Sequence, residues 1–436
     1  MIRTIALGAA LLGLAAVIAL DAPSQGGAPS ATVTYASEPR TLPSVCPGAQ
    51  TVPVGDIQSG DAELGSGSTD VAFDVLPPGG EVIDQGTAFE QVGSSLERIG
   101  SGDIAGLAGL TCPPTSGDQW LVGGSTALGS SARLVLSNPA DTPVSAEVAL
   151  HTPVGAVDGA TSVVIGPGAQ RTLLLEGIEP EMPSVAVRVT AGGLGVSAAL
   201  QDSRLDGFTP AGTDWVTPSD VGQELAVLVP AESDGEARAT LALISPEGAQ
   251  VELAMAGEQG AVPWIGESSL TLEAGVLTEV PIPQAGSGTV LIDATGPVTA
   301  AARVEVPRSS PSRGGDTAYD IAWTGSQLRG QAGERAVVVP PGNVALQVHG
   351  DEAGVVVFDA AGSPLDVTVT DETTARVSVG FEPGTLLSST SEASWSLVVT
   401  DEPGFITTLE PVSIELSSVD TEVTVDGRYP VPVTGD

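Results

Sequence analysis

The chain has 436 residues, with 54 acids against 15 bases and a formal net charge of −39. Every base is Arg, and there is no Lys. That balance argues against nucleic acid, whose phosphates need a basic face, and against docking on an anionic lipid surface. It predicts a solvated acidic exterior that resists nonspecific association.

The length allows roughly three domains. Apolar residues make up 42%, mostly Ala, Val and Leu, with only 5 Trp, 3 Tyr and 6 Phe. Short Val-rich runs broken by Gly, Pro, Asp and Ser are the composition of β-sandwiches. The predicted fold class is therefore all-β.

In chain order, Arg3 precedes an apolar run from Thr4 to Leu20. This reads as a signal peptide or signal anchor over residues 1–21. The run is short for a bilayer span, which takes about 20 residues. If uncleaved, it leaves everything after Asp21 outside, and it is the chain's one expected contact with a membrane. Residues 22–44, rich in Ala, Pro, Ser, Gly and Thr, read as a flexible linker.

Residues 45–117 read as a small N-terminal β unit closed by a disulfide between Cys46 and Cys112. An isolated Cys pair in an exported chain most simply bonds to itself. Within this unit Phe89, Val92, Leu96 and Ile99 have the spacing of one short helix.

From residue 118 period-two alternation dominates, as in Val144, Ala146, Val148 and Leu150. The pattern recurs at about 100–115 residues, a period that means tandem domains. One echo links Leu134–Pro139, Leu241–Pro246 and Val355–Gly362. Another links Val187–Thr190, Leu291–Ala294 and Leu397–Thr400. The predicted architecture is three tandem immunoglobulin-like β-sandwiches, over residues 118–222, 223–325 and 326–436, behind the N-terminal signal or anchor helix.

Catalytic motifs are missing. The two histidines, His151 and His349, fall in different repeats and are expected at the surface or at strand edges. No G-x-S-x-G elbow accompanies them. There is no HExxH, P-loop or complete calcium loop. No catalytic, cofactor-binding or metal-ligating residue is assigned. A pair of carboxylates could hydrolyse a glycan, but such clefts usually carry stacking aromatics. Trp120, Trp215, Trp264, Trp323 and Trp395 are expected in cores or at domain junctions. The leading expectation is a noncatalytic extracytoplasmic module that binds an envelope protein or a cell-wall glycan. The alternatives are a carboxylate-pair glycan hydrolase and a purely structural spacer.

Cys46-Pro47-Gly48, Cys112-Pro113-Pro114, Trp120–Gly124 and Leu134–Pro139 together resemble the DUF5719 family, a set of actinobacterial envelope proteins with no assigned activity. The resemblance covers about residues 45 to 420 and is weakest in the C-terminal third. It implies location in the cell envelope, beside polysaccharide or wall assembly. It lends no catalytic residues.

Overall fold

β-Branched residues in alternating runs put nearly the whole chain into strands. The computed structural model describes residues 31–36, 41–51, 70–102, 104–206, 209–230, 237–283, 287–308, 317–370, 373–401, 404–414 and 420–425. The expected signal or anchor over residues 1–21 lies outside them. A three-residue 3-10 turn, Leu175–Gly177, is the one helical element among the described residues.

Two compact units make up the chain. In the smaller one, Ala31–Ala36 pairs antiparallel with Asp420–Val425, Ala31 opposite Val425. Thr32, Val33, Thr34 and Tyr35 are good strand formers, so the segment read as a linker carries a strand.

The larger unit, Arg40–Ser417, contains four blocks. The first has two three-stranded sheets. One orders Ser44–Cys46, Gly86–Phe89 and Glu81–Ile83; the other orders Val71–Leu76, Ser94–Ile99 and Gly106–Thr111. Cys46 and Cys112 are disulfide-bonded across a separation of 66 residues. Both cysteines are buried, with Phe89, Leu110 and Trp215 in the same cluster. The expected helix is absent. Phe89 ends one strand, Val92 sits in a loop, and Leu96 and Ile99 belong to the next strand. Ser94–Ile99 is buried on both faces, which erases the period of two and leaves an accidental helical spacing.

In the second block two sheets share one core. The first orders Gly155–Ala156, Val144–Thr152, Ala186–Ala191 and Asp118–Val122; the second orders Ala169–Leu174, Ser130–Asn138, Ser197–Asp206 and Thr209–Val216. Val148, Leu150, Val187 and Val189 from one sheet meet Leu134, Leu136 and Leu200 from the other. Burying each such side chain contributes about 1.5–3 kcal/mol.

The third and fourth blocks repeat this pairing order. Gly222–Val229 and Arg335–Val338 take the place of Asp118–Val122, while Arg238–Ile244 and Asn343–His349 take the place of Ser130–Asn138. In the third block the strand Gly288–Pro307 is 20 residues long and serves both layers. Its first part pairs with Gly222–Val229 and Ala249–Gly257, and its second with Arg238–Ile244 and Tyr319–Leu328. The change of layer falls near Pro297, which has no N–H to give to a ladder. In the fourth block Trp395 and Phe358 meet edge to face, with centroids 5.1 Å apart.

Two expected alignments shift. The fourth-block counterpart of Leu134–Pro139 is Asn343–His349, one strand before Val355–Gly362. Likewise the counterpart of Val187–Thr190 is Leu386–Ser389 rather than Leu397–Thr400. Gln347 and His349, buried on the face opposite to Val344, Leu346 and Val348, dilute the apolar signature of the true counterpart. Tyr319–Leu328 also runs through the boundary expected at residue 325.

One strand near the end of each block does double duty. Gly106–Thr111, Thr209–Val216, Tyr319–Leu328 and Ile406–Leu409 touch one another in cyclic order and so line a common axis. Glycine permits the close approach. Gly212 has φ +104°, and a Cβ there would lie 2.6 Å from the Ile321 nitrogen.

Candidate functional site

Adjacent axial strands from different blocks are joined through side chains. Asp214 Oδ1 accepts from the Gly109 N–H at 3.2 Å and the Thr407 hydroxyl at 2.9 Å, and its Oδ2 accepts from the Trp323 N–H at 2.8 Å. One carboxylate thus ties all four blocks. Asp320 Oδ2 accepts from the Leu107 N–H at 3.0 Å and the Ile406 N–H at 3.1 Å. Glu410 accepts from the Gly325 N–H at 2.8 Å and the Thr217 hydroxyl at 3.3 Å. Strand N–H groups facing a neighbouring block would otherwise be buried without partners, at a cost of about 1–3 kcal/mol each.

These carboxyls pay in protonation. Burial, reinforced by the charge of Asp320, pushes Asp214 well above the usual carboxylate range. Burial pushes Asp320 up to about 7, against the pull of the Leu107 and Ile406 N–H groups and of Arg308. Burial likewise raises Glu410. Trp323 joins the second and third blocks. Its indole N–H donates to Asp202 at 3.0 Å, and Arg204 and Arg303 lie over its ring at 6.0 and 5.9 Å.

The axis opens at one end into a cleft of about 700 Å³. The cleft is lined by residues at or just beyond the C-terminal ends of the four axial strands: Thr111 and Pro113, Thr217 to Val221, Gln327, Leu328 and Gln331 to Gly333, and Glu410 to Ser413. Asp118, Trp120 and Arg188 form one wall, while Glu247 comes from a turn of the third block and Pro297 from the layer change in its long strand. Arg188 is held bidentate by Asp118, at 2.9 and 2.6 Å. The same Arg188 lies 5.7 Å over Trp120, and His151 flanks that ring at 5.0 Å. Trp120 is only 4% exposed and offers no stacking face.

Of the residues singled out in the sequence, Cys46 and Cys112 come together, in the wall of the first block. The histidines stay apart. His151 Nδ1 lies 3.1 Å from the Gly275 carbonyl, and burial lowers its pKa. His349, expected at a surface or edge, is 3% exposed, with Nδ1 2.9 Å from the Thr373 carbonyl. It is buried on the face turned away from Val344, Leu346 and Val348 of its own core, the same face on which Gln347 donates to the Val229 and Gly288 carbonyls of the third block. Trp120, Trp215, Trp323 and Trp395 are buried, and Trp264 is half-buried. Among the described residues no group of three or more His, Cys, Asp or Glu side chains is placed to hold a metal ion.

Sequence reading missed the axial acids. Their one signal is an acid inside an apolar strand that closes each repeat: Thr213-Asp214-Trp215-Val216, Asp320-Ile321-Ala322-Trp323 and Thr408-Leu409-Glu410.

No curated protein and no solved structure matches the chain. The sequence model of a family of unknown function, DUF5719, matches residues 83–380, so that the chain belongs to the DUF5719 family.

Proposed function

We propose that the chain is a noncatalytic extracytoplasmic protein of the cell envelope, which holds a partner protein in the cleft at the end of the axis. In this reading residues 1–21 export or tether it, and the second, third and fourth blocks are tandem immunoglobulin-like sandwiches. The Cys46–Cys112 disulfide supports an oxidising compartment, since such bonds are rare in the cytosol. The carrying observation is that all four blocks contribute to a single cleft. A spacer would have no need to converge four strand ends on one concavity.

The cleft's chemistry favours a protein over a glycan and binding over hydrolysis. Trp120, its one aromatic, is covered by Arg188 and His151. Asp214 and Asp320 are sealed in the axis with no exposure. Glu410 does reach the cleft, but both its oxygens are engaged by Gly325 and Thr217.

The test is site-specific photocrosslinking in the native envelope. A crosslinker at Gln331, exposed in the cleft, should give a discrete protein adduct that is lost on Ala332→Trp, which fills the cleft. A crosslinker at Glu352, exposed in the fourth block, should not. No adduct at Gln331, or the same adduct from both positions, would overturn the reading.

A further inference from the structure

We infer that the cleft, taken as the binding site proposed above, receives a cationic peptide segment, with Lys amines meeting Asp220 and Glu247. Both of the cleft's cations are already committed. Arg188 is bidentate with Asp118, and Arg335 donates to Gln327 Oε1 at 3.1 Å and to the Ala393 carbonyl. An anionic ligand therefore finds no available guanidinium fork. Among the acids, Asp118 is neutralised by Arg188 and Glu410 by its two donors. Asp220 and Glu247 remain, both exposed and both lining the cleft, and neither forms an ion pair within 4.0 Å among the described residues. Asp220 spends one oxygen on the Leu328 N–H at 3.0 Å, and burial of its carboxyl raises its pKa against the pull of that N–H and of Arg335; a Lys amine beside it would favour its charged form.

A second observation points to a peptide rather than a simple amine. Thr111, Gln119 and Ser219 line the cleft and are 2%, 6% and 8% exposed. Among the described residues, the hydroxyls of Thr111 and Ser219, the amide oxygen of Gln119 and Nε of Arg335 have no hydrogen-bond partner. Buried polar groups are rarely left so in a finished assembly. They comprise acceptors and donors together, and a main chain supplies both N–H and C=O groups. Pro113, Pro114, Pro218, Pro246 and Pro411 stiffen the walls, so ordering on binding falls mainly on the ligand. The overall charge of −39 draws a cationic partner toward the surface.

The test uses the full exported chain, residues 22–436, at physiological salt, which screens diffuse surface attraction. The probes are a hexapeptide of alternating Lys and Gly, the same peptide acetylated on every Lys, and a trimer of N-acetylglucosamine. Calorimetry should give saturable one-to-one binding of the Lys peptide, at least tenfold weaker binding of the acetylated one, and none of the sugar. The double variant D220N/E247Q should weaken the Lys peptide at least tenfold. The control E258Q/E273Q, which removes the same charge from exposed sites elsewhere, should leave it unchanged. Equal losses in both double variants would reduce the effect to bulk charge and overturn the inference, as would equal binding of the acetylated peptide or preference for the sugar. If D220N/E247Q changes nothing while Ala332→Trp abolishes binding, the cleft stands and the cationic class falls. If Ala332→Trp also changes nothing, or the Lys peptide does not bind at all, the inference falls, and the crosslinking at Gln331 then decides whether the cleft binds anything.

Discussion

The axis and the cleft that caps it are both built around carboxylates, and they put them to opposite uses. On the axis Asp214 and Asp320 have no solvent exposure and serve as acceptors for main-chain N–H groups of neighbouring blocks. In the cleft Glu247 and Asp220 are exposed residues, although the Asp220 carboxyl is itself partly desolvated, which raises its pKa, and gives one oxygen to the Leu328 N–H. The difference shows that solvent access, not residue type, decides what an acid does here. A dry carboxyl replaces a strand ladder that four separate sheets cannot form with one another. A wet one keeps its charge for something outside the molecule.

The sharpest way to break this contrast is to remove an axial acceptor. Asp214→Ala leaves the Trp323 N–H without its partner and the Thr407 hydroxyl with only the Gly109 carbonyl at 3.4 Å, while the Gly109 N–H keeps Thr407 Oγ1 at 2.9 Å. At about 1–3 kcal/mol for each buried group that loses its acceptor, with the terms not strictly additive, a loss of about 2–5 kcal/mol is expected. Urea unfolding measures it. A loss below about 1 kcal/mol would mean that the axis is not held by its acids.

Next in size is the disulfide. Replacing Cys46 and Cys112 by Ala removes a 66-residue loop closure. It should cost about 2–4 kcal/mol in chemical denaturation. The smallest effect belongs to the cleft: D220N/E247Q should change stability by less than about 0.5 kcal/mol, as exposed substitutions usually do. A Tm equal to wild type alongside lost peptide binding would sharpen the contrast. A large fall in Tm would move these acids into the structural class.

Much of the fold was legible in the sequence, because alternation survives wherever one face of a sheet is wet. Val144–Thr152 is buried at every second position along most of its length, and its reading as a strand needed nothing else. The disulfide followed from the supply of two cysteines. Alternation fails where both faces are buried, as in Ser94–Ile99, where a helical spacing emerged from strands. It also fails where buried polar side chains face a neighbouring block. Gln347 donates to the Val229 and Gly288 carbonyls of the third block, so its strand did not look like its counterparts. The candidate cleft was illegible for a different reason. Its lining comes from segments as far apart as Thr111 and Ser413, and no local pattern records that four strand ends converge.

The central claim is that buried carboxyls on the axis hold the four blocks together, and pH tests it most directly. Asp320 has its folded-state pKa raised from 3.8 to about 7. A raised carboxyl pKa means that its stabilising share is fully present below about pH 4 and is lost as pH rises through about 7. The measurement is the unfolding free energy of the wild type and of Asp320→Asn from pH 4 to pH 8. Asn keeps an oxygen for the Leu107 and Ile406 N–H groups but cannot ionise. The wild type should lose stability across that range relative to the variant, by an amount on the order of 4 kcal/mol if the full shift is realised. Parallel curves for the two proteins would contradict the account.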